Sequence, residues 1–208
     1  MNALILVDIQ NDFVPGGALA VGEGDRIVPI CNALQSHFDL VVATQDWHPR
    51  DHGSFAANHP GRKVGEMIDL RGLPQILWPV HCVQNSAGAA FVPGLKTDRI
   101  DRVFQKGTDA AIDSYSGFFD NGHRKATGLG DYLKQRGVSD VYIVGLATDY
   151  CVKFTALDAR ELGFTTHLIA DACRGVNLKP GDVDAAIEQM RQAGVKIENS
   201  AEVMKKQS

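Results

Sequence analysis

The sequence predicts an α/β domain in three layers, with helices packed on both faces of a β-sheet. Short runs of apolar residues, many of them β-branched, recur along the chain, and segments of helical periodicity separate them. Most of the runs are continuous instead of alternating with polar residues, which is typical of strands covered on both faces, as in a parallel sheet. Strands and helices that alternate in this way favour a three-layer domain with right-handed crossovers.

Six apolar runs are predicted to form the strands. In chain order they cover residues 3–10, 39–46, 101–106, 140–147, 166–173 and 195–200. Four helices are predicted between and after these runs. They are one that follows Asp25, one around residues 131–136, one over residues 151–162 and one over residues 182–193.

The predicted helices carry start and stop signals. Asp25 is predicted as the N-cap of the first helix, and Pro29 falls in its first turn, where a missing N–H does little harm. Gly137, Gly163 and Gly194 directly follow the other three helices, at the position where glycine commonly ends a helix.

The segment between residues 47 and 99 shows little periodicity and does not fit the alternating pattern. Connections of this length are usually functional or disordered. This one holds four of the seven histidines and both tryptophans, whereas disordered segments avoid aromatic residues. We therefore predict that the segment is ordered and that something, such as a bound ion, orders it.

Length and charge limit the class of protein. A chain of 208 residues with 44% apolar and 22% charged residues has the composition of an ordinary globular protein, and we expect a single domain over residues 1–208. The net charge of −4 and the absence of any Lys/Arg cluster argue against nucleic acid or a membrane surface as a partner. No apolar run is long enough for a membrane span, and we expect no signal peptide.

The four cysteines are scattered and form no CxxC pair, which excludes a zinc knuckle and a thioredoxin motif. Few, unclustered cysteines in a chain of this length fit free thiols in a reducing compartment, so we expect a cytoplasmic protein. Cys31 lies on the apolar side of the first helix and is predicted to be core packing. GxSxG, P-loop, HExxH and complete GxGxxG motifs are absent from the sequence.

Several polar residues fall where the predicted strands end. Ligands of open α/β sheets bind beyond the carboxyl ends of the strands. Asp8 and Lys106 lie near the ends of the first and third predicted strands, and Cys151 follows the fourth. Cys151 is predicted at the start of a helix, where unpaired N–H groups and the helix dipole favour the thiolate and lower its pKa. This pattern favours a nucleophilic cysteine with a base and a cation beside it. The alternatives are that Asp8 and Lys106 form a purely structural ion pair and that Cys151 is buried packing.

Asp46 and His48 form a D-x-H pair at the end of the second strand. If the strand continues, their side chains lie on one face, and His81, which Pro79 holds in a stiff local conformation, adds a third ligand. One carboxylate and two imidazoles suit a divalent Zn, Fe or Mn ion with positions left open for water or substrate. Because single histidines are usually solvated or satisfied in the core, the D-x-H pair alone does not establish the site.

Six short motifs follow one another along nearly the whole chain. They are VDIQNDFVPGGALAV, QDWHP followed by HGSF, LWPVHCVQNS, FQKGTD followed by DSYSGFFDN, GLATDYCVKFTALDA and DACRGV. In this order they resemble the nicotinamidase/pyrazinamidase branch of the isochorismatase-like cysteine hydrolases. Each motif alone is a weak indication of the family, but six motifs in the family's order are a specific one. The resemblance implies an isochorismatase-like hydrolase fold, α/β/α in three layers with a six-stranded, mostly parallel sheet.

The resemblance also implies a catalytic set. Asp8, Lys106 and Cys151 match the family's triad of base, cation and nucleophile. The backbone N–H groups of Ala147 and Cys151 match its oxyanion hole. The family further places a cis peptide bond between the residues that match Leu146 and Ala147.

The implied metal and substrate sites use other residues. A divalent metal, zinc first and iron or manganese as alternatives, is implied on Asp46, His48 and His81, with His52 in an outer shell. Aromatic residues are implied to hold the substrate ring: Phe13, Trp78, Tyr115 and Tyr150.

The implied activity is hydrolysis of nicotinamide, and of pyrazinamide, to the acid and ammonia through a thioester on Cys151, in NAD salvage. Relatives that hydrolyse isochorismate lack the nucleophilic cysteine, so Cys151 argues against that reaction. Two other functions stay open on the residues alone. They are a related amidase or ureidohydrolase that acts on a carbamoyl group or another small amide, and an inactive small-ligand binder. We expect a small-molecule amide as partner, and the oligomeric state stays open, with a homo-oligomer among the options.

Overall fold

The computed structural model describes residues 1–206, and the strands in that part of the chain form one large sheet and one hairpin. In chain order the strands are β1 (Asn2–Val7), β2 (Leu40–Asp46), β3 (Met67–Leu70), β4 (Leu73–Ile76), β5 (Arg102–Lys106), β6 (Asp140–Leu146), β7 (Thr165–Arg174) and β8 (Lys196–Glu198). β3 and β4 pair antiparallel as the hairpin. Across residues 1–206, the other six strands form one sheet in the order β5-β2-β1-β6-β7-β8, and every neighbouring pair is parallel.

The predicted fold class is confirmed by this sheet. All six predicted runs are strands of it, and their ends differ from the prediction by at most about three residues. The segment over residues 47–99 is ordered, as expected, although its hairpin was not predicted. The expected domain boundary at residue 208 includes Gln207 and Ser208, which lie outside the described residues, so the single-domain boundary stays a prediction.

The helices are α1 (Val28–Leu34), α2 (Leu129–Gln135), α3 (Lys153–Glu161), α4 (Asp182–Gln192) and α5 (Ser200–Lys206), of which the last was not predicted. The predicted N-cap at Asp25 is wrong, because Asp25 lies inside a 3₁₀ turn, Gly24–Ile27, that leads into α1. The predicted third helix begins later than expected, since a π-helical turn, Thr148–Val152, precedes α3. The three predicted helix-ending glycines all have positive φ: Gly137, Gly163 and Gly194. No helix in the described part of the chain is long and apolar enough to cross a membrane.

Alternate residues of the strands pack into two hydrophobic cores, because successive side chains point to opposite faces of a sheet. Leu4 and Leu6 of β1 face the core beneath α1, whereas Ile5 and Val7 face the core beneath α2 and α3. Cys31 of α1 is fully buried in the first core, as its predicted packing role requires. The two cores cover both faces of the sheet, which gives the predicted three layers.

The order of the strands determines which edge of the sheet can hold a ligand. From β1 the chain moves outward through β2 to β5 on one side, and it then returns to the other side of β1 with β6. In open α/β sheets the ligand crevice lies outside the carboxyl ends of the strands at such a reversal. At this edge β2 ends at Asp46 and β5 ends at Lys106. Asp8 directly follows β1, and the turn over residues 147–151 directly follows β6.

We expect Gly145→Ala to destabilise the pairing of β1 with β6. Gly145 pairs with Val7 and has a φ of 122°, and an added Cβ would lie 2.8 Å from the Val7 nitrogen and closer still to its carbonyl oxygen. The free energy of unfolding in urea should fall by about 3 kcal/mol or more. In the control Gly137→Ala, φ is 71° but the added Cβ meets nothing within 4 Å, so the loss should be only about 1–2 kcal/mol. Equal losses in the two variants would contradict the steric argument.

Candidate active site

A buried lysine links the polar residues at this edge of the sheet. The Lys106 ammonium lies 2.9 Å from Asp8 Oδ2 and 2.5 Å from Asp46 Oδ1. It also donates to the Ser114 carbonyl oxygen at 2.9 Å and to Cys151 Sγ at 3.4 Å. Because Lys106 is buried, these partners replace the water that an ammonium normally binds. The structure therefore brings together the three residues predicted as a triad.

The ends of the strands hold Lys106 and Asp8 in place. β5 ends at Lys106, whose partner on β2 is Asp46. Asp8 follows β1 with a φ of 47°, a left-handed conformation that turns the chain out of the sheet. Asp8 Oδ1 accepts a hydrogen bond from Thr44 Oγ1 at 2.6 Å. Beyond its ion pair with Lys106, Oδ2 has no partner with hydrogen-bond geometry among residues 1–206, so Oδ2 is the oxygen available to exchange a proton.

The two carboxylates beside Lys106 differ in their affinity for protons. Burial raises the pKa of Asp8, and the charge of Asp46 adds to this rise, while Lys106 and Thr44 only partly oppose it. Burial acts in the same direction on Asp46, but Lys106 and His48 outweigh it and hold the pKa of Asp46 below its usual range. Asp46 is therefore the permanent counter-ion of the lysine, and Asp8 is the better proton acceptor.

Cys151 lies in the π-helical turn between β6 and α3 and is buried beside Lys106. The predicted lowering of its pKa is wrong. Burial raises the pKa of this thiol well above its usual value, Lys106 opposes the rise without overcoming it, and Asp8 and Asp46 add to it. The resting thiol is therefore protonated and needs a base. Asp8 is close enough to serve, since Cys151 and the two carboxylates offer ligand atoms within 4.8 Å of one another.

A narrow cavity opens in front of the thiol. Ala147 and Cys151 form part of its wall, and the peptide bond between Leu146 and Ala147 is cis, as predicted. The four aromatic residues predicted to hold the substrate ring also line this cavity: Phe13, Trp78, Tyr115 and Tyr150. The predicted oxyanion and substrate residues therefore face one space, and their roles in it stay predictions.

Contacts among the aromatic residues fix the shape of this cavity. Trp78 and Tyr150 meet edge to face with ring centroids 5.0 Å apart, and Tyr150 lies 5.6 Å from Tyr115. The Tyr115 hydroxyl accepts hydrogen bonds from Trp78 Nε1 at 3.1 Å and from Gln75 Nε2 at 3.2 Å. A rigid apolar slot of this kind suits a flat aromatic ring with a polar group directed at the thiol.

Two histidines converge on the second carboxylate oxygen of Asp46. Asp46 Oδ2 lies 3.5 Å from His48 Nε2 and 3.8 Å from His81 Nε2. Ligand atoms about 2.0–2.2 Å from a tetrahedral zinc ion lie roughly 3.3–3.6 Å apart, so these separations leave room for one ion. The donor set and its spacing therefore fit a divalent metal with open positions.

Hydrogen bonds orient both histidine rings for a metal. His48 Nδ1 lies 2.9 Å from the Gly107 carbonyl oxygen, and His81 Nδ1 lies 2.7 Å from that of Pro79. Because a carbonyl oxygen only accepts, each Nδ1 carries a proton and each Nε2 is directed toward Asp46. Burial and the neighbouring His48 lower the pKa of His81 to about 4, which favours the neutral ring that a metal needs. In His48 burial lowers the pKa, but the attraction of Asp46 outweighs burial and raises it.

His52 lies next to His48, with ring centroids 4.3 Å apart, and its Nδ1 is 2.7 Å from Ser54 Oγ. Its Nε2 is buried and has no hydrogen-bond partner in the described part of the chain. His52, His48 and Asp113 form a second group of potential ligands that shares one ring with the first. The outer-shell role of His52 stays a prediction.

Reasoning from the sequence missed four residues that build the site. Thr44 binds Asp8, Ser114 binds the lysine, Asp113 lines the cavity, and Gln10 binds the backbone of Asp46. The motifs quoted above contain three of the four. However, a hydrogen bond between distant segments leaves no signal in a single sequence, so their roles could not be assigned.

A model of the isochorismatase domain matches residues 2–202 of the chain. The nicotinamidase of Escherichia coli (strain K12) is 51% identical over 199 residues, which cover 94% of this chain and 93% of that protein. Among solved structures, a nicotinamidase/pyrazinamidase of Acinetobacter baumanii is 48% identical with a TM-score of 0.94, and the match covers 97% of each chain.

Two further solved structures are complexes. Yeast nicotinamidase bound to the inhibitor nicotinaldehyde is 33% identical with a TM-score of 0.89, and the match covers 96% of this chain and 100% of that one. A pyrazinamidase of Pyrococcus horikoshii in complex with zinc is 42% identical with a TM-score of 0.78, and the match covers 95% of this chain and 98% of that one.

We expect Lys106→Met to destabilise the protein, because it leaves Asp8 and Asp46 buried together without a cation. Removing one partner of a buried ion pair typically costs about 3–5 kcal/mol of unfolding free energy. With the ammonium gone, burial and the charge of Asp46 hold the pKa of Asp8 above its value in the unfolded chain. The unfolding free energy should therefore fall further as the pH rises from about 5 to about 8, as urea titrations can measure.

Lys125→Met is the matched control for this variant, because Lys125 is an exposed lysine. It should change neither the unfolding free energy nor its dependence on pH. A loss of stability in Lys106→Met that is independent of pH would contradict the assignment of Lys106 as counter-ion of the two carboxylates.

Proposed function

The chain belongs to the isochorismatase domain family, and we propose that within it the protein is a nicotinamidase, which hydrolyses nicotinamide to nicotinic acid and ammonia. One observation carries this proposal. A buried thiol, a carboxylate and an ammonium meet at a slot lined with aromatic rings, next to a cluster of metal-type ligands. The nicotinamidases and pyrazinamidases among the similar proteins support the same substrate class.

The proposed reaction begins with transfer of the Cys151 thiol proton to Asp8 Oδ2. The raised pKa values of both groups keep the proton within the pair, and the Lys106 ammonium stabilises the carboxylate before the transfer and the thiolate after it. The thiolate sulfur then attacks the amide carbon of nicotinamide. A C–S bond forms, and the carbonyl oxygen takes the negative charge.

The resulting oxyanion needs hydrogen-bond donors. We assign this role to the backbone N–H groups of Ala147 and Cys151, and such an interaction is typically worth about 3–4 kcal/mol per donor. Asp8 then gives its proton to the amide nitrogen, so the C–N bond breaks and ammonia leaves. A water molecule attacks the remaining thioester with Asp8 again as base, and nicotinic acid forms as the thiol is released.

Asp46, His48 and His81 would hold a divalent ion at another wall of the slot. When bound, the ion supplies a Lewis-acid anchor for the pyridine nitrogen, which aligns the carboxamide with Cys151. The donor set suits zinc, iron and manganese, and we propose zinc because the related pyrazinamidase structure is a complex with zinc.

We also propose pyrazinamide as a substrate, because it carries its carboxamide on a flat ring with a nitrogen in the same relative position as in nicotinamide. Hydrolysis of nicotinamide fits a role in NAD salvage. The four cysteines are free thiols, which fits a reducing compartment, and we propose the cytoplasm as the location.

Ammonia release from nicotinamide tests the role of the thiol. Cys151→Ala should reduce this release by about 10⁴-fold or more, because the variant lacks the nucleophile, while urea unfolding should stay close to wild type. In the control Cys31→Ala, a thiol of the core beneath α1 is removed, and turnover should persist. Retained turnover in Cys151→Ala would contradict the assignment of Cys151 as the nucleophile.

Ammonia release and mass spectrometry together separate the alternative functions. A ureidohydrolase would release ammonia faster from an N-carbamoyl substrate than from nicotinamide, which would overturn the proposed substrate. An inactive binder would form no acyl adduct on Cys151, so mass spectrometry of the protein quenched during turnover decides between binding and catalysis.

We expect removal of the metal to affect nicotinamide and benzamide differently, because benzamide lacks the ring nitrogen. After treatment with a chelator, kcat/KM for nicotinamide should fall roughly 100-fold, whereas the low kcat/KM for benzamide should hardly change. His48→Ala should show the same loss and a lower metal content by mass spectrometry, and His37→Ala should show neither. Full activity toward nicotinamide in metal-free protein would remove the ion from the proposal.

A further inference from the structure

Gln10 carries a fully buried amide that the mechanism above does not use. It lies two residues after Asp8, where the chain has left β1, and its backbone pairs with that of Phe91. Because buried polar side chains are almost always hydrogen-bonded, the partners of this amide indicate what it does.

The side-chain amide of Gln10 binds both the backbone N–H and the backbone carbonyl oxygen of Asp46. Oε1 accepts from the Asp46 N–H at 2.8 Å, and Nε2 donates to the Asp46 carbonyl oxygen at 2.8 Å. Nε2 also donates to the Ala89 carbonyl oxygen at 2.9 Å. This pattern fixes the orientation of the amide, since exchanging its oxygen and nitrogen would set a donor against an N–H and an acceptor against two carbonyl oxygens.

These contacts replace a strand pairing that is missing beside Asp46. The ladder between β1 and β2 stops three residues earlier, at Ala43, after which β1 turns away from the sheet. On its other side β2 stays paired with β5, and the Trp47 N–H binds the Lys106 carbonyl oxygen. The N–H and C=O groups of successive residues in a strand point to opposite sides. Because the Trp47 N–H points toward β5, the N–H and C=O of Asp46 point to the other side, which β1 has left. The amide of Gln10 fills that place.

Asp46 needs a fixed backbone because its carboxylate serves two sets of neighbours. Oδ1 lies against the buried lysine, and Oδ2 faces His48 and His81. The direction of the Cα–Cβ bond sets the positions of both oxygens. Ala89 lies in the same long connection as His81. The Gln10 amide therefore links the strand that carries Asp46 to the connection that carries His81.

We propose that Gln10 is a positioning residue for Asp46 and thereby sets the affinity of the site for its metal ion. The inference rests on the metal site of the proposed function and adds a residue that touches neither the ion nor the substrate. Loss of the amide leaves the Asp46 N–H without its partner and frees the side of β2 that faces β1, so Asp46 is held less firmly relative to His48 and His81. Partners that orient metal ligands typically change metal affinity by about 10–100-fold.

The zinc affinity of Gln10→Met tests this proposal. Methionine has nearly the length and volume of glutamine but none of its hydrogen bonds. When the metal-free protein is titrated with zinc against a chromophoric chelator, the dissociation constant should rise about 10–100-fold. Gln10→Asn, whose amide is one carbon shorter, carries the same expectation if the methionine variant does not fold.

Gln45→Met is the matched control. Gln45 is also buried, lies on β2 next to Asp46, and donates to the same Ala89 carbonyl oxygen at 2.9 Å. Its side chain does not bind the backbone of Asp46, so its zinc affinity should stay close to that of wild type. The visible spectrum of the cobalt-substituted protein adds a readout of ligand geometry, and it should change in Gln10→Met but not in Gln45→Met.

The outcomes separate this inference from the proposed function. An unchanged zinc affinity in Gln10→Met, or an equal weakening in Gln45→Met, overturns the positioning role and leaves the metal site intact. If wild type binds zinc no more tightly than His48→Ala does, the metal site itself fails and the positioning role fails with it.

Discussion

The burial of the Lys106 ammonium is the constraint on which the rest of the site depends. A charge removed from water costs several kcal/mol unless charged and polar partners surround it. Its partners here come from distant parts of the chain, namely Asp8 after β1, Asp46 at the end of β2 and the carbonyl oxygen of Ser114. Parallel strands deliver their carboxyl ends to one edge of the sheet, so the fold that buries the lysine also assembles the groups that neutralise it.

Departures from regular backbone occur at several positions around this cluster, and side chains stabilise them. Asp8 and Cys82 both have positive φ, and Cys151 lies in a π-helical turn. Asp12 accepts the Cys82 N–H at 2.7 Å, and Gln10 occupies the gap that the turn at Asp8 leaves beside β2. Unusual conformations of this kind persist only where surrounding contacts determine them, and they direct functional side chains where regular strands could not.

The sequence was sufficient to predict most of the sheet and where its polar residues fall, because a continuous apolar run and the residue that ends it are both local features. The hairpin of β3 and β4 lacks such a run, since Met67 is exposed and Asp69 interrupts the pattern. The role of Gln10 depends on β1 ending earlier than β2, which is a relation between two strands. The pKa of Cys151 depends on burial contributed by many distant residues, so a helix start alone gave the wrong direction.

The raised pKa of Cys151 is consistent with a nucleophilic role once the charges of the whole cluster are considered. The resting site holds one positive charge on Lys106 and negative charges on Asp8 and Asp46. Transfer of the thiol proton to Asp8 moves one negative charge from oxygen to sulfur, and Lys106 contacts both atoms, so the net buried charge does not change. A thiolate formed by losing its proton to solvent would instead add a negative charge to a buried site, and burial opposes that process. Burial therefore suppresses the free thiolate while it permits the internal transfer that the proposed reaction requires.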